Sequence, residues 1–316
     1  MLNHLHTSIS RRGFLAAAAA IGTALAGCSS GQGAASGSAA AADSASSGGA
    51  RTLRVAMELA YPPFETKDDA GNPSGVSVTF MQDFADSYGY DLQIDNISFD
   101  GLIPSLQTGK ADAVMSSITI TPEREEEVDF TDPYAVAQLA ILVGADSGVE
   151  SVEDLNQAGR TVAVKTGSTG DVYATKNLVN AEILRLADES ACVTEVAQGR
   201  ADGFFYDQLT IYRNNQANPD TTRAVFIPFQ DPEYWGIAVA SGNDELREEL
   251  NAFIAKSKTN GEFDRLTGEY LAEEKAAFDE LGFRWFFDFE DADAEGSADG
   301  AVGTAADVEG AAGEDA

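Results

Sequence analysis

Residues Gln107–Ser117 read QTGKADAVMSS, and residues Ala197–Asp207 read AQGRADGFFYD. Each has a glycine placed to end a helix, one basic residue, Ala-Asp, and then a run of strand character. The recurrence implies one supersecondary unit used twice, once in each of two lobes. Open α/β sheets place ligands beyond the carboxyl ends of their strands. Those ends carry Ser116–Thr119 in the first copy and Tyr206–Asp207 in the second, so lobes that face each other bring these residues to one cleft.

The surrounding chain supports alternating units. LRVAME (53–58) is short, apolar and β-branched, and the segment after it sets Val76, Phe80, Met81, Phe84 and Tyr88 at helical spacing. DLQIDNIS, a helix over GLIPSLQTG, and the strand ADAVMSSI (111–118) follow. Beyond residue 150 come a helix opened by a Ser151…Asp154 capping box, TVAVKTG (161–167), a helix from Ser168, AEILRLA, a helix ending at Gly199, and ADGFFYD. This pattern predicts an α/β fold on mostly parallel sheets.

Composition removes several chemistries. Among 316 residues with a formal net charge of −32 there are two histidines, His4 and His6, and two cysteines, Cys28 and Cys192. The charge repels polyanions, which excludes nucleic acid as a partner. A Ser-His-Asp triad, a Cys-His pair and a histidine-ligated zinc need a histidine that the folded part lacks. Two cysteines make no disulfide framework, and Cys192, beside Val193 and Val196, reads as a small buried apolar residue. No cofactor or metal is implied.

The N-terminus reads as an address. SRRGFLAAAAAIGTALAGC (10–28) resembles a twin-arginine export signal ending in the lipoprotein box LAGC, whose cysteine becomes the lipidated, palmitate-bearing first residue. Residues 1–27 are then a signal peptide, and Cys28 anchors the protein to the outer side of the cell membrane. Residues 28–50, mostly Gly, Ala and Ser, form a flexible tether. Residues 288–316 carry acidic residues, Ala and Gly without Lys or Arg and read as a disordered solvated tail. Asp291, Asp293, Glu295 and Gly296 imitate the start of a calcium loop, but Val302 stands where its bidentate glutamate belongs.

YPPFE, GLIPSLQTGKADAVMSSITITPERE, VDFTDPY, VAVKTGST and NGEFDRLTGEYL occur in the order seen in the extracellular solute-binding proteins of polar amino-acid ABC importers (family 3), which residues 51–272 resemble. The resemblance implies a two-lobed, type II periplasmic-binding-protein-like fold, with two doubly wound lobes joined by two crossover strands around a ligand cleft. The first lobe is expected over residues 51–141 plus 236–287, and the second over 142–235. It further implies a monomeric, non-enzymatic, extracytoplasmic lipoprotein that delivers a polar amino acid, basic ones included, to an ABC permease.

A free amino acid needs an anion clamp and an acceptor. Arg124 can offer two parallel donors to a carboxylate; its plainer reading is a surface helix cation pairing with Glu125–Glu127. Ser116, Ser117 and Thr119 supply hydroxyl and main-chain groups, and Pro122 stiffens the turn presenting Arg124. Ser168 and Thr169 open a helix whose first N–H groups favour a carboxylate; the Gly-Lys-[Ser/Thr] of a phosphate loop is missing. Asp207 is the expected partner of the ammonium, and equally a cap for the helix starting near Gln208. By resemblance Tyr61 and Phe99 wall the pocket, whereas Phe64 reads as core. Glu58 matches a position that is acidic in several basic-amino-acid binders, yet glutamine could hydrogen-bond it too.

Two other functions remain open on the sequence. One is a cyclohexadienyl-dehydratase-like enzyme with Glu58 or Asp207 as acid or base. The other is a ligand-sensing domain serving a separate signalling partner.

Overall fold

The computed structural model describes residues 51–289. The signal peptide, tether, Cys28, the calcium-loop alternative and the tail from residue 290 lie outside the described residues.

In chain order, β1 (Arg51–Met57) is followed by a hairpin of β2 (Thr66–Lys67) and β3 (Pro73–Ser74), α1 (Val76–Tyr88) and β4 (Tyr90–Asn96). Next come α2 (Leu102–Gln107), β5 (Ala113–Val114), α3 (Pro122–Glu125), β6 (Asp129–Phe130), β7 (Ala135–Ala137) and β8 (Leu139–Gly144). The second half holds α4 (Val152–Leu155), β9 (Thr161–Lys165), α5 (Thr169–Asn177), β10 (Glu182–Leu186), α6 (Glu189–Ala197), β11 (Gly203–Asp207), α7 (Gln208–Ala217) and β12 (Thr222–Val225). The chain then runs through β13 (Glu233–Trp235), β14 (Ala238–Val239), α8 (Asp244–Ser257), α9 (Glu262–Tyr270) and α10 (Ala272–Leu281).

Two five-stranded sheets organise these elements, ordered β4-β1-β5-β14-β6 and β10-β9-β11-β8-β12. In each, the first three strands are parallel and the fourth is antiparallel to its neighbours. The expectation of mostly parallel sheets therefore holds for one side of each sheet. The antiparallel strand is the one by which the chain arrives from the other lobe. β7 leads into β8 and β13 into β14, while β7 and β13 pair with each other as a two-stranded connection. Such arrivals need no helical crossover, so nothing imposes the parallel sense. All of β8 belongs to the second sheet, which puts that crossing at Gln138, ahead of the expected limit at 141–142.

The repeated stretch is one unit in both lobes, as its pattern implied. Gly109 and Gly199 end α2 and α6 with φ of 66° and 67°, the left-handed turn that glycine adopts at no steric cost. Asp112 accepts from the Arg54 main-chain N–H at 2.8 Å and from its guanidinium, and Asp202 accepts from the Thr161 N–H at 2.8 Å and from Arg160 at 2.6 Å. Each aspartate thus pins the neighbouring strand, β1 at its middle and β9 at its start. The expected strand 111–118 pairs only at Ala113–Val114. Beyond it the chain turns toward the cleft, and Ser117 takes a left-handed φ of 47°.

Alternation along the strands gives each sheet two apolar faces. Val55 and Met57 pack with Phe80, Phe84 and Phe253 on one side of the first sheet; Ala56, Val114 and Ala238 meet Leu102 and Ile118 on the other. In the second sheet Val162, Val164 and Phe205 face Leu155 and Leu178, whereas Ala163 and Phe204 face Val193 and Ile211. Phe64 is fully buried among Tyr61, Trp235 and Phe286, as core. Cys192 is fully buried too, and burial pushes its thiol up to about 12. Of the residues expected in the tail, Phe289 packs on Phe263, with ring centroids 5.6 Å apart.

Candidate functional site

The cleft between the sheets collects all ten residues singled out in the sequence: Glu58, Tyr61, Phe99, Ser116, Ser117, Thr119, Arg124, Ser168, Thr169 and Asp207. Glu65, Leu139, Tyr206, Glu233 and Trp235 complete its lining, and the space left between them is about 30 Å³. That volume suits a water or two, so the lobes are shut on their own side chains.

Arg124 follows Thr121, whose hydroxyl caps the short α3 by accepting from the Arg124 N–H at 3.3 Å. The side chain turns back into the cleft instead of pairing with Glu125–Glu127. One guanidinium nitrogen donates to the Thr119 carbonyl at 2.6 Å, and another to the Gly167 carbonyl in the second lobe at 3.1 Å. The Phe99 ring lies 5.6 Å from its carbon centre. Desolvation pulls the Arg124 pKa below its ordinary value, opposed by Glu233.

Ser168 caps α5, accepting from the Asp171 N–H at 3.2 Å. Thr169, the first residue of that helix, donates to Glu233 Oε2 at 2.9 Å, and Thr119 donates to the same oxygen at 3.1 Å. Glu233 was not singled out in the sequence; it lies in DPEYWG, a stretch without periodicity. Burial raises its pKa, and Thr169 and Thr119 work against that rise.

Asp207 takes the capping role foreseen for it. Its Oδ1 caps α7, accepting from Leu209 N–H at 3.0 Å and Thr210 N–H at 3.1 Å. Its Oδ2 is buried without a partner, as is the Tyr61 hydroxyl. Desolvation raises the Asp207 pKa. Tyr61 stacks on Phe64 at 5.5 Å and meets Tyr206 edge-on at 5.9 Å.

Glu58 differs from expectation. Its carboxylate is bonded to the Lys165 ammonium, which ends β9 in the second lobe and also reaches Glu189 at 3.1 Å. Lys165 has no exposed surface. Burial alone would depress its pKa, but Tyr206, Glu189 and Glu58 outweigh that and hold it above lysine's ordinary value. Desolvation raises Glu58, opposed by Lys165. The carboxylate expected to wait for a cationic side chain already has a cation. Lys165 could have been found in the sequence, since the strand-end rule that picked Tyr206–Asp207 applies equally to TVAVK.

The serines do structural duty at the cleft floor. Ser116 Oγ accepts from the Glu58 N–H at 3.0 Å, tying β1 to β5, and Ser117 donates to Glu65 Oε2 at 3.2 Å. Glu65 is fully buried, accepts also from Ser77 at 2.7 Å, and leaves Oε1 without a partner. Desolvation, only partly offset by those hydroxyls, pushes its pKa up to about 8.

The site therefore brings donors (Arg124, Thr119, Thr169) and acceptors (Asp207, Glu65, with Glu58 beside Lys165) into one cleft. Over 227 residues the chain is 33% identical to a probable histidine-binding protein of Neisseria gonorrhoeae, covering 71% of this chain and 84% of that one. It is 31% identical over 232 residues to the L-arginine-binding protein of Pseudomonas aeruginosa, covering 70% and 88%. Among solved structures, an ancestral arginine-binding protein bound to glutamine matches with a TM-score of 0.64 and 34% identity, covering 70% of this chain and 97% of that one. The fold is thus the expected type II periplasmic-binding fold. The model of the bacterial extracellular solute-binding proteins, family 3, matches residues 53–273, and the chain belongs to that family.

Proposed function

We propose that this protein captures one polar amino acid between its lobes, as a monomer, and delivers it to an ABC permease while a lipidated Cys28 holds it at the outer face of the cell membrane. The observation that carries the reading is the polarity of the site. Arg124, Thr119 and Thr169 at the N-terminus of α5 bring donors to the cleft, and Asp207, whose Oδ2 is buried and unpartnered, brings an acceptor to the same lining. A carboxylate and an ammonium on one carbon match that combination of donors and acceptor. Relatives named for histidine and arginine binding support the substrate class.

The Lys165–Glu58 contact bears on the side chain. An uncharged amide can give to Glu58 and take from Lys165, whereas a cationic side chain must displace Lys165 first. The reading is therefore a side chain with its own donors and acceptors. The reading is a binder and not an enzyme, supported by relatives named for amino-acid binding and by the engagement of Glu58 with Lys165.

The test is the melting temperature of the full chain against each of the twenty amino acids, with prephenate and phosphate as controls. A ligand that binds only the folded state raises the midpoint by mass action. Binding near 1 μM corresponds to about 8 kcal/mol and gives a clear shift at millimolar ligand. A shift with glutamine or another uncharged polar amino acid is expected. Arginine or lysine alone would mean that Lys165 moves aside, and no shift with any amino acid overturns the substrate class. Labelled palmitate should enter the parent and not Cys28→Ser; equal labelling overturns the anchor.

A further inference from the structure

The closed molecule already holds a carboxylate in the place expected for the ligand's own. Glu233 opens β13, in the connection between the lobes, and reaches into the cleft from there. Its Oε2 is bridged by Thr119 of the first lobe and Thr169 of the second, at 3.1 and 2.9 Å, while Oε1 accepts from Gln230 at 2.8 Å. Arg124 is drawn to the same carboxylate. Lys165 sets an ammonium between Glu58 and Glu189, near the rings of Phe99 and Tyr206 at 5.1 and 5.8 Å. The chain's own anion, Glu233, thus lines a cavity of about 30 Å³, together with Glu58, which holds the chain's own cation.

We propose that Glu233 is a built-in counter-ligand, whose carboxylate ties Thr119 to Thr169 across the lobes until an incoming carboxylate displaces it. This rests on the amino-acid reading above for the identity of the displacing group, but the bridge itself does not. Glu233 can leave without moving the sheets, because it also borders an outer groove of about 560 Å³ lined by Thr121, Val172, Lys176 and Gln230. Lys176 there offers the displaced carboxylate a partner. Two consequences follow from mass action. The ligand binds only the fraction of molecules from which Glu233 has withdrawn, so its apparent affinity is lowered by that fraction. Molecules that lack a carboxylate, such as amines and amino-acid amides, cannot take its place on Thr119 and Thr169 and are rejected.

The experiment compares the full chain with Glu233→Ala and Glu233→Gln by two readouts. The first needs no ligand. Spin labels at Glu123→Cys on α3 and Asn177→Cys on α5, both lining the outer groove, report the interlobe distance in a Cys28→Ser background, Cys192 being buried. Glu233→Ala should give a longer mean distance than the parent, with Glu233→Gln between them; an unchanged distance in both variants overturns the bridge. The second readout is calorimetric titration with the amino acid that shifts the parent's melting point. Glu233→Ala should bind it about tenfold more tightly, and should gain measurable affinity for the matching amino-acid amide. Equal or weaker binding in both variants overturns the competition. If the distance lengthens while no amino acid binds any form, the counter-ligand stands and the substrate class falls. If amino acids bind the parent while neither distance nor affinity responds, the substrate class stands and the counter-ligand falls.

Discussion

Lys165 closes β9 in the second lobe, yet its charge is met by Glu58, which follows β1 in the first. With Glu189 they form a buried group of two carboxylates and one ammonium, each side chain 10% exposed or less. Removing one partner of such a group is costly because it strands the others, whereas a neutral replacement of the set is not.

Lys165→Met should therefore lower stability by roughly 3–5 kcal/mol, less whatever is regained when the lobes part and water reaches Glu58 and Glu189. Adding Glu58→Gln should restore part of the loss. Urea denaturation at neutral pH measures both; a single variant within about 0.5 kcal/mol of the parent would mean the ammonium is not needed.

Arg124→Ala should abolish amino-acid binding and leave the fold standing. Charge-assisted hydrogen bonds are worth about 1.5–3 kcal/mol each, so losing two predicts an affinity drop of roughly 10²–10⁴. Arg124→Lys should recover little, because an ammonium cannot make both bonds at once. Titration calorimetry, with circular dichroism to check the fold, decides; parent-like affinity in Arg124→Ala would remove this residue from the clamp.

The paired aspartates of the repeated unit predict matched losses. Asp112→Ala and Asp202→Ala each free a strand N–H and an arginine, and since both sites are partly solvated the cost is about 1–2 kcal/mol apiece. They lie in different lobes, so the double variant should show the sum to within about 0.5 kcal/mol. Chemical denaturation tests this, and strong non-additivity would mean that the lobes are coupled at these positions.

Glu65 gives the fold a pH dependence. Its pKa rises from 4.5 to about 8 on folding, so between those values the folded state binds a proton that the unfolded chain has released. Its contribution is present below about pH 4.5 and is lost as pH climbs toward 8, at up to about 1.4 kcal/mol per pH unit. Glu65→Gln should be more stable than the parent near pH 8, with the difference shrinking toward pH 5. Melting curves over that range give the answer, and parallel curves would show that Glu65 does not titrate there.

Local chemistry was the legible part of the site and the fold. Ser151 with Asp154, Ser168 and Asp207 are caps, set by a hydroxyl or carboxylate a few residues from the N–H groups it meets. α1 was readable because its apolar residues repeat at helical spacing, and Phe80 and Phe84 are buried accordingly. The ADAVMSSI run was overread: its strand stops at Val114, because β14 pairs with β5 over two residues only. Glu233 gave no local signal, since a glutamate in an aperiodic loop looks like any solvated one until Thr119 and Thr169 close on it.

By itself, the sequence determined the two α/β units and, at their strand ends, Ser116–Thr119 and Asp207, because these depend on periodicity, caps or a short repeated frame; Glu58, Tyr61, Phe99 and the cleft-facing reading of Arg124 came through the family resemblance. Only the tertiary structure decided how those residues are charged and paired. Glu58 and Lys165 are 107 positions apart, and Thr119 and Glu233 are 114 apart. Whether a buried carboxylate waits for a ligand or already holds a partner depends on which side chain the facing lobe presents, and no interaction short of lobe closure sets that distance.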